Sequence, residues 1–187
     1  MSSFRIASGQ ELTPLNITDP EQLTRGVKLL SENGIALFGQ LPDELRDDGQ
    51  VKEEVWAERI ADIILPPLGE IVPAVSERSY GYQGRRQTHR AGFHMDAHYD
   101  PRFRDPIFFG ETTKNAAELR SSIGHGRDFR LNAEKGTLWV MAGPSLVGGK
   151  GTWHELGRPA GGEDRHVTIG AVIPKAAPRK NLTHSRS

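Results

Sequence analysis

Arg165-His166-Val167-Thr168-Ile169-Gly170-Ala171-Val172-Ile173 reads as one β-strand, rich in β-branched residues and free of proline. Successive side chains on a strand alternate between faces, so Arg165 shares a face with Val167 and Ile169. A guanidinium projecting into an otherwise apolar interior needs an anionic partner, because an unpaired buried charge is costly. Its planar fork suits a carboxylate held bidentately. Working outward, the chain from Glu77 onward is punctuated by Gly and Pro, and its apolar runs are of strand length. Ser79–Gln83, Thr88–His98, Pro106–Gly110, Thr137–Ala142 and Gly151–Leu156 join Arg165–Ile173 as strand candidates. Short strands separated by turn-rich stretches predict a barrel or jelly roll. Thr113–Ser121 is the exception, read as a helical turn or a mobile insert.

The first third is different in texture. Asp19-Pro20 is an N-cap and first-turn pair, and Leu23, Val27 and Leu30 recur at helical spacing before Gly34. The spacing predicts a helix over Pro20–Asn33, followed by a short buried strand, Ile35–Phe38. After a polar, acidic loop (Pro42–Gln50), Val51–Leu65 reads as a helix with Val55, Ile60, Ile63 and Ile64 on its apolar stripe, stopped by Pro66-Pro67. The expected architecture is mixed α+β in one domain over 1–187. Residues 1–70 form a mainly helical support, 77–174 a jelly-roll core, and 175–187 a flexible tail.

Composition narrows the chemistry. The chain has 187 residues, enough for one core, and 24 Lys+Arg balance 24 Asp+Glu, which argues against the broad basic face that nucleic acid requires. With no cysteine, any metal must be held by His, Asp or Glu. No run of about 18 apolar residues offers a membrane span. Met1–Gln10 has no apolar signal core, so the expected location is cytoplasmic.

Histidine is the informative residue. In Arg90-Ala91-Gly92-Phe93-His94-Met95-Asp96-Ala97-His98-Tyr99-Asp100, strand alternation puts His94 and Asp96 on one face. His154, in Gly151-Thr152-Trp153-His154-Glu155-Leu156, is the best third ligand. Two histidines and one carboxylate leave coordination positions open, the pattern associated with non-haem Fe(II) oxygenases. The separate Arg165 then calls for a dicarboxylic cosubstrate, one end on the metal and the other on the guanidinium. His98 shares the parity of His94 and Asp96, but a fourth protein ligand would block an open position, so it ranks second and is placed near the substrate together with Arg90. His89 and His166 fall on the other parity and read as structural or exposed. Trp139 and Trp153 read as packing residues.

The arrangement resembles the Fe(II)/2-oxoglutarate-dependent dioxygenases. His94-Met95-Asp96-Ala97-His98-Tyr99 is most similar to the phytanoyl-CoA hydroxylase-like branch. Lys135-Gly136-Thr137-Leu138-Trp139-Val140-Met141-Ala142-Gly143-Pro144 resembles that family's strand before the distal histidine, and Trp153-His154-Glu155 the histidine segment itself. The similarity spans Tyr80–Pro174. It implies a double-stranded β-helix (a cupin-like jelly roll) with N-terminal helices packed against it. Fe(II) would sit on His94, Asp96 and His154, and 2-oxoglutarate on Arg165 with help from Tyr82 or Thr137. O2 would be consumed to oxidise a C–H bond, by hydroxylation as the usual outcome, with release of succinate and CO2. Family members often carry Ser or Thr two residues after the arginine; this chain has Val167, and Thr168 takes the opposite parity.

The expected substrate is a small molecule such as an amino acid, a peptide or a natural-product intermediate. Neither nucleic acid nor membrane is an expected partner, and a homodimer contact through the helical third is an option. Two other readings use the same residues. A cupin-like isomerase, or a dioxygenase without cosubstrate, would not need Arg165. A non-catalytic small-ligand module would not take up iron.

Overall fold

The computed structural model describes residues 4–5, 11–87, 91–94, 107–114, 117–123, 128–143, 152–156 and 166–175. After a short pairing of β1 (Phe4–Arg5) with β2 (Glu11–Leu12), helix α1 runs Pro20–Asn33. Asp19 caps it: its carboxylate accepts the N–H groups of Glu21 (3.0 Å) and Gln22 (3.2 Å), two of the donors a helix start leaves orphaned. Gly34, at φ 79°, closes the other end by donating its N–H to Leu30 O (2.9 Å), a left-handed turn that favours glycine. The chain then enters β3 (Ile35–Gln40). A single 3-10 turn (Asp43–Leu45) interrupts the acidic loop.

Helix α2 spans Glu53–Ile71 and passes through Pro66 and Pro67, where the proline pair was expected to end it. The apolar stripe explains the continuation. Ile60, Ile64 and Leu68 follow at four-residue steps and are all buried, so stopping at Leu65 would leave Leu68 out of the core. The short α3 (Pro73–Ser76) leads into β4 (Tyr80–Gln87), longer than the Ser79–Gln83 segment.

The remaining strands are β5 (Ala91–His94), β6 (Ile107–Lys114), β7 (Ala117–Ile123), β8 (Asp128–Ala133), β9 (Thr137–Ala142), β10 (Thr152–Leu156) and β11 (His166–Pro174). Thr113–Ser121, read as a helical turn or insert, is strand wherever it is described: it completes β6 and enters β7, whose pairing with β8 supplies the backbone partners its sequence does not advertise. The tail beyond Lys175 lies outside the described residues.

Two antiparallel sheets result. One has the order β3-β9-β6-β11-β4 and the other β5-β10-β7-β8. The pairings nest: β4 with β11, β5 with β10, β6 with β9, β7 with β8. Both faces of the five-stranded sheet are buried at its centre. On one, Phe38, Leu138, Val140, Ile107, Phe109 and Val172 join Val27, Leu30, Trp56, Ile60, Ile64 and Leu68 from α1 and α2 in the main core. The Trp56 and Phe109 rings meet edge to face at 5.5 Å. On the other, Leu37, Trp139, Met141, Phe108 and Val167 are buried outside that cluster. Every position of β9 is therefore buried, the mark of a strand covered on both sides. Among the described residues no helix is long and apolar enough to cross a membrane.

Candidate active site

The antiparallel pairing of β5 with β10 sets His94 and His154 opposite one another in the ladder, while Ala91 stands opposite Leu156 across a local irregularity. β10 continues the sheet on its other side, where His154 is opposite Ser121. Opposed positions in such a ladder lie on one face, with Cα atoms about 4.5–5.5 Å apart. The backbone thus brings together two histidine positions from distant parts of the sequence. Asp96, His98, Arg90 and Arg165 lie outside the described residues. Among the described residues no group of three or more His, Asp or Glu forms a metal cluster.

The two side chains expected to help hold a cosubstrate are not brought together. Tyr82 stands opposite Val172 on the helix-facing side of the sheet and packs against the main core. Burial raises its phenol above the ordinary value, and Asp62 and Glu58 of α2 push the same way. Thr137 has the parity of Trp139 and Met141 and belongs to the opposite face. One ligand cannot be gripped by both.

On the Thr137 face lies a group the sequence pattern does not single out. Thr112 of β6 is completely buried, and among the described residues its Oγ1 is the buried side-chain polar atom without a hydrogen-bond partner. Leaving such a group unsatisfied costs about 1–3 kcal/mol. A carboxylate ligand would satisfy this hydroxyl, and two opposed imidazole positions are a donor pair suited to a ferrous ion. The residues present therefore fit both.

Directly behind this face, the helix side of the same strands holds a buried polar network. Leu138, Glu111, Thr168 and Arg86 occupy one row across β9, β6, β11 and β4. Glu111, 1% exposed, accepts the N–H of Asp47 (2.8 Å). Asp47 in turn accepts a fork from Arg86, Nε to Oδ2 at 2.7 Å and a terminal nitrogen to Oδ1 at 2.6 Å. It also accepts the Thr168 hydroxyl and the N–H of Gly49 (3.0 Å). Arg86 further donates to Glu53 (2.7 Å) and to Val51 O (2.9 Å). The polar, acidic loop is thus pinned to β4, β6 and β11.

The charges follow. Burial pushes the Glu111 carboxyl up to about 7, assisted by the charge of Asp47. The Asp47 N–H, Arg46 and the Trp56 indole oppose the rise without cancelling it. That indole N–H also donates to Leu45 O (3.0 Å). Burial would raise Asp47 as well, but the hydrogen bonds from Arg86, Thr168 and Gly49 outweigh it and hold the carboxyl below its usual range. The one sequence signal for this network is parity: Thr168 sits on the face opposite Val167, and its hydroxyl needs a partner there.

No protein-family model matches the chain, and no curated protein matches it significantly. Solved structures do. A prolyl-4-hydroxylase from Pseudomonas putida superposes with a TM-score of 0.60 at 16% identity, covering 83% of this chain and 95% of that one. The chain has the fold of the 2-oxoglutarate/Fe(II) oxygenases. The same fold is shared with the non-heme alpha-ketoglutarate-dependent epimerase SnoN from nogalamycin biosynthesis (TM-score 0.51, 12% identity, 82% of this chain and 83% of that one). It is shared too with EvdO2 from Micromonospora carbonacea var. aurantiaca, solved with 2-oxoglutarate (TM-score 0.50, 12% identity, 87% and 94%).

Proposed function

We propose that the chain is a non-haem Fe(II)/2-oxoglutarate-dependent dioxygenase that oxidises a C–H bond of a small molecule such as an amino acid, a peptide or a natural-product intermediate. In this reading β4–β11 form a double-stranded β-helix, the two sheets facing each other around the site, and the motif wording favours the phytanoyl-CoA hydroxylase-like branch. The observation that carries the proposal is the register of β5 on β10, which sets His94 opposite His154 in a fold shared with oxygenases of this kind.

His94, Asp96 and His154 would hold the metal, and Arg165 would pair with the distal carboxylate of 2-oxoglutarate. Thr137 lies on the face suited to assist; Tyr82 is assigned to the core instead. Bound iron with 2-oxoglutarate supplies activation of O2 and oxidation of the substrate, with succinate and CO2 as co-products. The chain's own part is to leave open positions at the metal by offering only three ligands. Phe108, Trp139, Met141 and Val167 form a buried apolar face that would keep water from a ligand lying against it. His98 and Arg90 would lie near the substrate, where the guanidinium would favour an anionic group.

Anaerobic addition of Fe(II) and 2-oxoglutarate, followed by visible spectroscopy, tests the proposal. A weak metal-to-ligand charge-transfer band is expected, and it should vanish in Asp96→Ala. No band in the wild-type chain refutes it.

A further inference from the structure

The structure assigns to residues 43–50 the role of a proton-operated clasp: Asp47 shuts it over the buried Glu111 carboxyl, and loss of that carboxyl's proton to water lets it open. The device lies on the helix side of the five-stranded sheet and does not depend on the proposed function.

The segment is held by polar contacts rather than by a packed core. Asp43, Glu44, Asp48, Gly49 and Gln50 are exposed, Leu45 and Arg46 half-buried, and Asp47 alone is buried. A stretch with so little buried apolar surface can lift by itself, at less cost than unfolding the domain. Its contacts with the sheet converge on one residue. The Asp47 N–H donates to Glu111 (2.8 Å), and the Asp47 carboxylate accepts the Arg86 fork and the Thr168 hydroxyl. Leu45 O adds one bond to α2, accepting the Trp56 indole N–H (3.0 Å).

The charges around Glu111 decide which protonation state the shut clasp holds. The loop presents Asp47 and Arg46, β4 presents Arg86, and α2 presents Trp56 and, through Arg86, Glu53. Its ladder neighbours Leu138 on β9 and Thr168 on β11 are uncharged. Arg86 already serves both Asp47 and Glu53. Arg46 is engaged by Leu41 O (2.8 Å) and Asp43 (3.1 Å). An ionised Glu111 would be a third carboxylate on one guanidinium, inside a site that water does not reach. Opening the clasp admits water and takes the Asp47 charge away. Burial and Asp47 accordingly hold the shut Glu111 at about 7, against 4.5 in water. Between these limits the shut form keeps a proton that the open form releases, so closure is firmest below about pH 4.5, weakens up to about pH 7 and is level above. Asp47, held low, favours opening only in stronger acid, below about pH 4. Opening releases Arg86 of β4 and Thr168 of β11 together, so one proton governs how firmly the edge strand and the start of α2 are tied. There the backbones are already close, a Cβ on Gly84 falling 2.3 Å from the Glu53 carbonyl.

Amide hydrogen exchange of the full chain, read residue by residue by NMR from pH 5 to 8 and divided by the intrinsic rate at each pH, tests the assignment. Protection of the Asp47 N–H is expected to fall about tenfold per pH unit up to about pH 7 and then to level off. It should stay below that of the β9 amides throughout, and low urea should lower protection in β9 but not at Asp47, since lifting a loop exposes little surface. In Glu111→Gln, whose amide oxygen still accepts the Asp47 N–H, the pH slope should disappear. A wild-type Asp47 amide whose protection is independent of pH overturns the clasp, whether or not the variant folds. So does one that matches β9 in both protection and urea dependence, because the proton would then be read only by global unfolding. A slope retained in Glu111→Gln overturns the assignment of the proton to Glu111.

Discussion

Replacing Glu111 with glutamine should abolish a pH dependence of stability that the wild-type chain carries across the mildly acidic range. The carboxyl is 1% exposed, and burial holds it at about 7 against an ordinary value of 4.5. Between these limits the folded protein keeps a proton that the unfolded chain has released. Stability therefore falls as pH rises from about 4.5 to about 7 and levels off above that. At about 1.36 kcal/mol per pH unit, the fall amounts to about 3 kcal/mol. Asp47 works in the opposite sense, since its carboxyl is held low, but its contribution is lost only below about pH 4, outside this window. In Glu111→Gln the amide oxygen still accepts the Asp47 N–H, and no ionisation occurs. Near pH 4.5 the two proteins should be about equally stable; at pH 8 the variant should be more stable by up to about 3 kcal/mol. Urea unfolding at several pH values between 4.5 and 8, followed by tryptophan fluorescence, measures the difference directly. Stability curves that run parallel across this range would refute the reasoning.

Arg86→Ala strips the guanidinium fork from Asp47, whose side chain is 1% exposed, and should cost about 2–3 kcal/mol. This is less than a wholly buried pair would lose, because Arg86 itself is 39% exposed and partly screened; chemical denaturation at pH 7 gives the value. Gly110→Ala would drive a Cβ to 2.3 Å from the Trp139 ring, so the ring must shift at a cost of about 1–3 kcal/mol, visible in near-UV circular dichroism as well as in stability. An unchanged tryptophan spectrum would contradict that packing. His94→Ala and Asp96→Ala should abolish succinate release, and Arg165→Ala should mainly raise the 2-oxoglutarate concentration required. Full turnover by Asp96→Ala would remove the metal assignment.

Signals that act over a few residues are legible in the sequence itself. Asp19-Pro20 and Gly34 delimit α1 because a capping carboxylate and a left-handed turn act on donors and acceptors within one helical turn. Thr137–Ala142 is legible for a similar reason, an apolar run of strand length between glycines. Pro66-Pro67 misleads, since whether a helix survives two prolines depends on what lies beyond them, here Leu68 in the core. Thr113–Ser121 misleads because its strand character comes from partners on β8, β10 and β11 rather than from its own pattern. The loop carrying Asp47 reads only as polar and acidic, because its partners Glu111 and Arg86 are 64 and 39 residues away.

The residue types therefore determined the kind of chemistry available: imidazole and carboxylate ligands in a chain with no thiol, and an arginine at the head of an apolar strand. Tertiary structure decided which positions meet. It set His94 opposite His154, separated Tyr82 from Thr137 by the thickness of a sheet, and enclosed Glu111 and Thr112 on opposite sides of one strand. The physical reason is that alternation assigns each side chain a face using only its own neighbours, whereas ladder register and burial are settled by hydrogen bonds and apolar contacts between segments far apart in the chain.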